Sequence, residues 1–195
     1  MKVVLPLYCF PPIEYLLFLN KAEKVVICTG EHFVKQTYRS RYEIATSNGK
    51  LRLSVPISGS KNHRSVYEME LDYRENWQTI HWKSLISAYR HSPFFEHYEG
   101  SLKKMIYSGE TNLVTFNLAA LKFLEKGFKT NFNFTIEKEF KAVYEGYSDL
   151  RNYDFSGEML GETPAYTQPF SDKTGFIPNL SGLDLLFCKG PGSLG

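Results

Sequence analysis

The chain opens with an apolar run from Lys2 to Leu5, short and β-branched enough for a buried strand. The Pro11-Pro12 pair then predicts a turn, with Pro12 at the first position of a helix that reaches about Asn20. Val25 to Cys28 is a second β-branched run. Strand, helix and strand within about thirty residues predict a βαβ unit whose right-handed crossover makes the two strands parallel neighbours. Loops leaving the carboxyl ends of such strands are where α/β proteins place ligands. Here those loops are Pro6 to Pro12 and Thr29 to Phe33.

Between Tyr42 and Ile44, and again from Leu51 to Ile57, apolar and polar residues alternate, and Asn48-Gly49 supplies the positive-φ chemistry of a hairpin turn. Leu51, Leu53 and Val55 then share one side, with Arg52 and Ser54 on the other. Ser58 to Arg64 is small and polar, so an exposed loop is expected, followed by a strand over Val66 to Leu71 with Glu68 and Glu70 on its solvated face. Asn76 can cap a helix to about His91, in which Trp77, Ile80, Trp82, Leu85, Ile86, Ala88 and Tyr89 cover most of the circumference. Ser92-Pro93 ends it. Two further helices are predicted, Phe94 to Tyr107 and Asn112 to Lys126, the second with Gly127 as its stop signal, and a late strand within Asn131 to Phe140.

Beyond Tyr147 the periodicity fades into Gly, Pro, Asp and Ser, yet Tyr153, Phe155, Tyr166, Phe170 and Phe176 are too many aromatics for a solvated tail. Residues 147–195 are therefore expected to wrap the domain. Ser181-Gly182-Leu183-Asp184 has the form of a capping box with Asp in place of Glu, opening a short helix through Leu185, Leu186 and Phe187; Gly190 to Gly195 is expected to fray. The fold class is α/β: one domain, a mixed sheet with an N-terminal Rossmann-like βαβ unit, a β-hairpin and three helices, and an irregular C-terminal segment packed on it.

A chain of 195 residues, 43% hydrophobic and 15% aromatic, can bury one large core and needs no second. Its 23 basic and 21 acidic residues nearly cancel, which argues against a broad cationic footprint for nucleic acid and makes any basic patch local. Cys9, Cys28 and Cys188 are odd in number and lack ligand spacing, which argues against a disulfide framework or a metal site and fits a reducing cytoplasm. Pro6, Pro11, Pro12 and Glu14 interrupt the apolar opening well short of the ~18 residues of a membrane span, and no cleavage pattern follows.

The local basic patch is Glu31 to Arg41. Lys35, Arg39 and Arg41 fall close together with Tyr38 and hydroxyl groups, and no carboxylate follows Glu31 within the segment. On a helix Lys35 and Arg39 would share a face, which like charges disfavour unless an anion or a tertiary carboxylate sits between them. Two readings stand, an anion site and a solvated basic face. His81 lies four residues from both Trp77 and Leu85 on an apolar face, where it is either a core histidine satisfied by a backbone carbonyl or a catalytic base. There is no GxGxxG, P-loop or G-x-S-x-G; His91 and His97 have no metal-ligand spacing, and Cys9 and Cys28 lie in or beside apolar runs, a poor setting for a nucleophile.

Several of these stretches together resemble the WbqC-like family, in its Bacteroidetes-type form. They are Leu5 to Tyr15 with Pro11, Pro12 and Tyr15; Val34 to Arg41; Ser47-Asn48-Gly49 with Leu53 to Pro56; Trp77, His81-Trp82-Lys83, Ala88-Tyr89 and Ser92 to Phe95; and Gly175 to Ser181 with Leu183 to Phe187. Ser40 departs from the family's usual Asn, and Cys28-Thr29-Gly30 replaces a more polar stretch. The resemblance implies a role in bacterial O-antigen and surface-polysaccharide synthesis, with glycine-type aminoacyl or acyl transfer to an amino-sugar or nucleotide-sugar intermediate as the suggested reaction. The N-terminal βαβ pattern is also similar to nucleotidylyltransferase-like Rossmann folds, without their histidine signature.

Amide formation needs a base, oxyanion donors and cations for a phosphorylated ligand. The candidates are His81 or His32 as base, Lys35, Arg39 and Arg41 for the anion, and Gln36, Tyr38 and Tyr8 as hydrogen-bond donors, with no metal and no identified cofactor. The expected ligand is a phosphorylated or nucleotide-activated small molecule, not a nucleic acid. A non-catalytic protein binding such a ligand, or a partner in the same pathway, is the alternative.

Overall fold

The computed structural model describes residues 1–59, 64–156 and 165–194. Strand β1 (Lys2–Pro6), helix α1 (Ile13–Lys21) and strand β2 (Lys24–Cys28) form the predicted unit, with β1 and β2 parallel from Lys2 opposite Lys24 to Pro6 opposite Cys28. Pro12 stands just outside the helix as its N-cap, one position earlier than expected, and has no side-chain donor or acceptor to offer. The tail supplies what Pro12 lacks. Leu180 O accepts the Ile13 N–H at 3.0 Å and Asn179 Oδ1 the Glu14 N–H at 2.9 Å, satisfying two of the helix's orphan amides.

The hairpin follows as β3 (Arg41–Thr46) and β4 (Gly49–Ser54), antiparallel, with Gly49 at φ 95° after the turn. Its ladder is separate from the parallel sheet. The strand expected over Val66 to Leu71 is instead a 3-10 turn, Val66–Glu68, then a two-residue strand β6 (Glu70–Leu71) paired with β5 (Ile57–Ser58). The local reason is a capping box: Glu68 Oε2 takes both the Ser65 N–H and the Ser65 hydroxyl, which closes the turn against the alternation. Most of the loop expected from Ser58 to Arg64, at 60–63, lies outside the described residues.

Three helices supply most of the remaining core: α2 (Trp77–Tyr89), α3 (Phe95–Ile106) and α4 (Leu113–Phe128). Asn76 and Asn112 cap α2 and α4 by accepting the Thr79 and Thr115 amides. Ile80 is 58% exposed, so α2 buries a narrower face than its apolar count predicts. Gly127 does not stop α4. It lies buried inside the helix, where an added Cβ would meet Leu186 Cδ2 at 2.6 Å, and the left-handed cap is Lys129 at φ 54°.

Strand β7 (Phe134–Glu137) joins β2, and a two-residue strand β8 (Ser148–Asp149), too short to leave any periodicity, joins β1 on its other side. The sheet is thus fully parallel, in the order β7-β2-β1-β8. The C-terminal segment packs on the domain through a short turn α5 (Ser171–Thr174) and helix α6 (Gly182–Lys189), which lies against α1, α3, α4 and β3. Phe155, Leu183, Leu186 and Phe187 are buried, whereas Tyr153, Phe170 and Phe176 are half-buried. Ser181 Oγ caps α6 through the Leu183 amide, but Asp184 does not complete the expected box; its carboxylate turns inward to Tyr89, Tyr166 and Gln168. The end is not frayed through Leu194, whose side chain is buried while Gly192 N–H donates to Phe128 O. Among the described residues no helix is long and apolar enough to cross a membrane.

Candidate functional site

All four parallel strands end at one edge, and the order along that edge decides where a crevice opens. From β1 the chain proceeds to β2 and then β7 on one side, whereas β8 lies on the opposite side of β1. The loops leaving β1 and β8 therefore diverge, and open parallel sheets bind ligands in the crevice such a switch creates. A groove of about 300 Å³ lies here. Tyr8 comes from the loop after β1, Arg151 to Ser156 from the loop after β8, Val34 and Gln36 to Arg39 from the segment joining β2 to β3, and Arg41 and Arg52 from the hairpin that follows. That segment is a series of turns and not a helix, so Lys35 and Arg39 do not share a helical face. Gln36 holds a left-handed φ of 65° within it.

The guanidinium groups of the groove are not equivalent. Arg39 is buried and gives both Nε (3.0 Å) and Nη2 (2.6 Å) to Glu31 Oε1, while its Nη1 reaches Thr37 Oγ1 at 3.3 Å. Burial pushes the Glu31 carboxyl above its ordinary value and the Arg39 charge works against that shift. Arg52 places Nε and Nη2 on Glu43 Oε1, and Glu43 Oε2 also accepts the Tyr38 hydroxyl at 2.9 Å and Lys50 Nζ at 3.0 Å. Burial would raise Glu43, but the hydrogen bonds from Arg52, Lys50 and Tyr38 outweigh it and hold the carboxyl low. Arg151 is held by Asp149 and by the carbonyls of Lys141 and Ala142, which fixes the loop after β8 to the chain that precedes it.

Arg41 differs from these three. Its guanidinium has no hydrogen-bond or ion-pair partner among the described residues. The Tyr8 hydroxyl likewise has none, and burial, opposed by Arg39, pushes it up to about 12, so at neutral pH it is a protonated donor. Rings from Tyr8, Tyr38, Tyr153 and Phe155 provide apolar wall, with Tyr8 and Tyr38 centroids 5.7 Å apart and Arg39 Cζ 5.8 Å from the Tyr8 centroid. Among the described residues no group of three His, Cys, Asp or Glu side chains is placed to hold a metal ion.

The sequence profile of the WbqC-like protein family matches residues 7–158, most of the chain and every residue that lines this groove. The chain belongs to the WbqC-like family. No curated protein and no solved structure matches it. In this family member, Tyr8, Gln36, Tyr38, Arg39 and Arg41 of the sequence-derived candidates meet at the groove. Lys35 and His32 are exposed and do not line it, the His32 backbone bridging instead to Ser65.

His81 is also elsewhere. It is 2% exposed, with Nε2 3.0 Å from Ser54 O and Nδ1 3.0 Å from the Tyr42 hydroxyl. A carbonyl only accepts, so Nε2 carries the proton and Nδ1 accepts from Tyr42. Burial lowers the ring to about 4. With both nitrogens engaged, the core reading is the one this geometry fits. Sequence reasoning missed Arg151, Asn152, Asp154 and Ser156, because the segment after Tyr147 has no periodicity; the only local sign is that polar residues flank and separate Tyr153 and Phe155.

Proposed function

We propose that this WbqC-like protein binds a small molecule carrying an anionic group and a ring, of the kind a phosphorylated sugar or nucleotide-sugar intermediate of surface-polysaccharide (O-antigen) synthesis presents. The observation that carries this reading is Arg41. Three of the four groove arginines already hold a carboxylate, and Arg41 alone offers an uncompensated guanidinium, beside aromatic walls that suit a sugar or base ring. A single free cation suits one phosphoryl or carboxylate group better than a polyanion, in keeping with the nearly neutral chain.

Acyl or aminoacyl (glycine-type) transfer is the second reading, favoured by the unpartnered Tyr8 hydroxyl, a fixed donor of the sort that stabilises a developing oxyanion. It is less well supported than binding, since neither His32 nor His81 lines the groove to act as base. Calorimetric titration with glucose 6-phosphate, a nucleotide-sugar and uncharged glucose tests the first reading. The phosphorylated ligands should bind with an affinity that falls with salt, and Arg41→Gln should weaken them about tenfold or more. Equal affinity for glucose and glucose 6-phosphate would sink it. Mass spectrometry for an aminoacylated sugar product, given an activated glycine donor, tests the second.

A further inference from the structure

Resting on that binding reading, we infer that the groove also recognises an ammonium group, that Asp154 is the residue that takes it, and that the ligand is an aminated sugar phosphate. The basis is the charge left over once the groove's internal pairs are removed. Glu31 pairs with Arg39, Asp149 with Arg151, and Glu43 with Arg52, a carboxylate that Arg52 shares with Lys50 outside the groove lining. What remains is one cation, Arg41, and one carboxylate, Asp154; the two make no ion pair with each other or with any other described residue.

Asp154 is held in place for this task. Its Oδ1 accepts the Ser156 amide at 2.9 Å and the Ser156 hydroxyl at 2.6 Å, while Oδ2 has no partner among the described residues. Those two hydrogen bonds hold the carboxyl below its ordinary value, so it is ionised at neutral pH. The flanking residues fix the backbone: Phe155 is buried, and the Tyr153 hydroxyl donates to the buried Glu14 at 3.0 Å. Asp154 is exposed between them, and its charge reaches the hydroxyls of Tyr8 and Tyr38, which come from other loops lining the groove.

A free carboxylate and a free guanidinium in one small groove, not joined to each other, are complementary to a ligand with opposite charges on one compact frame. A phosphorylated sugar that bears a free amine has that form, with the ring between the two charges. Its neutral and N-acetylated counterparts have only the anion, and a bare polyphosphate would be repelled by Asp154.

The test compares glucosamine 6-phosphate, glucose 6-phosphate and N-acetylglucosamine 6-phosphate by calorimetry at neutral pH, on the wild-type chain, Asp154→Asn and Arg41→Gln. Glucosamine 6-phosphate should bind about tenfold tighter than the other two, as one added charge-assisted hydrogen bond predicts. Asp154→Asn, which keeps an oxygen for the Ser156 contacts, should close that gap, and Arg41→Gln should weaken all three. Equal affinities in the wild type, or a gap that survives in Asp154→Asn, would overturn the ammonium site while leaving the anion site standing. Failure of all three probes to bind would overturn both.

Discussion

The Tyr89 hydroxyl donates to Asp184 Oδ1 at 2.7 Å across 95 positions of sequence, joining the middle of the chain to its last helix. Asp184 is fully buried, and its other oxygen accepts the Tyr166 hydroxyl at 2.6 Å and Gln168 Nε2 at 2.8 Å. Tyr89 in turn accepts the Ala45 amide at 3.2 Å, so one carboxylate links α2, α6, the hairpin and the tail. Burial pushes Asp184 above the usual carboxylate range, opposed by hydrogen bonds from Tyr166, Tyr89 and Gln168.

Asp184→Ala should therefore act on stability and not on a ligand. Removing the acceptor leaves three buried donors unsatisfied, each such group costing about 1–3 kcal/mol, so a loss of about 3 kcal/mol or more is expected. The urea midpoint reads it. A shift worth less than about 0.5 kcal/mol would show that this network does not hold the tail.

His81 should make stability depend on pH. Its folded value of about 4 lies below the ordinary 6.5, so between those values the unfolded chain binds a proton that the folded chain refuses. Stability is then fully present above the unfolded value and falls as pH drops from 6.5 towards 4, by at most about 3 kcal/mol. His81→Gln should flatten that part of the profile. An unaltered slope in the variant would assign the acid sensitivity to other groups.

Arg39 and Arg41 should separate cleanly despite lying two residues apart. Arg39→Gln strands the buried Glu31 carboxylate, a loss of about 3–5 kcal/mol when one partner of a buried pair is removed. Arg41→Gln removes an unpaired group and should change stability by no more than about 0.5 kcal/mol while weakening anion binding. Denaturant unfolding beside ligand titration distinguishes them, and a stable Arg39→Gln would contradict the pairing.

Gly30 and Gly100 should respond in opposite directions to alanine. A Cβ on Gly30 would lie 2.2 Å from the Lys138 carbonyl oxygen, a backbone atom that no rotamer change can move aside, so a loss of about 1–3 kcal/mol or more is expected. Gly100 sits inside α3 with nothing within 4 Å, so Gly100→Ala should stabilise by about 0.5–1 kcal/mol through helix propensity. Thermal midpoints moving the same way in both would refute this assignment.

Local signals fixed much of the framework. Val25 to Cys28 reads as a strand parallel to Lys2 to Leu5, because a helix-length segment joins them, and Asn48-Gly49 marks the hairpin because few residues accept its backbone angles. Asn76 and Asn112 announced their helices because a cap is an interaction between near neighbours. The same nearness makes Tyr8, Gln36, Tyr38 and Arg41 legible as site candidates: Tyr8 lies on the loop after β1, and the other three belong to the basic run that follows β2 and ends at the first residue of β3.

Long-range packing settled everything that no neighbour could specify. Gly127 reads as a helix stop until Leu186, from the last helix, requires a residue without a side chain inside α4. Arg39 reads as a ligand-binding cation until the turns of its segment fold it back onto Glu31, and His81 reads either as a core residue or as a base until Tyr42 and Ser54 close on both ring nitrogens. Asp154 has no periodicity around it to mark its role, since its place in the groove depends on the two-residue strand β8 pairing beside β1, nearly 150 residues earlier in the chain. Helix caps and turns are short-range and therefore written in adjacent residues. Which charges end up paired and which remain free depends on contacts whose two halves lie on different elements, so the identity of the free pair, Arg41 and Asp154, exists only in the folded chain.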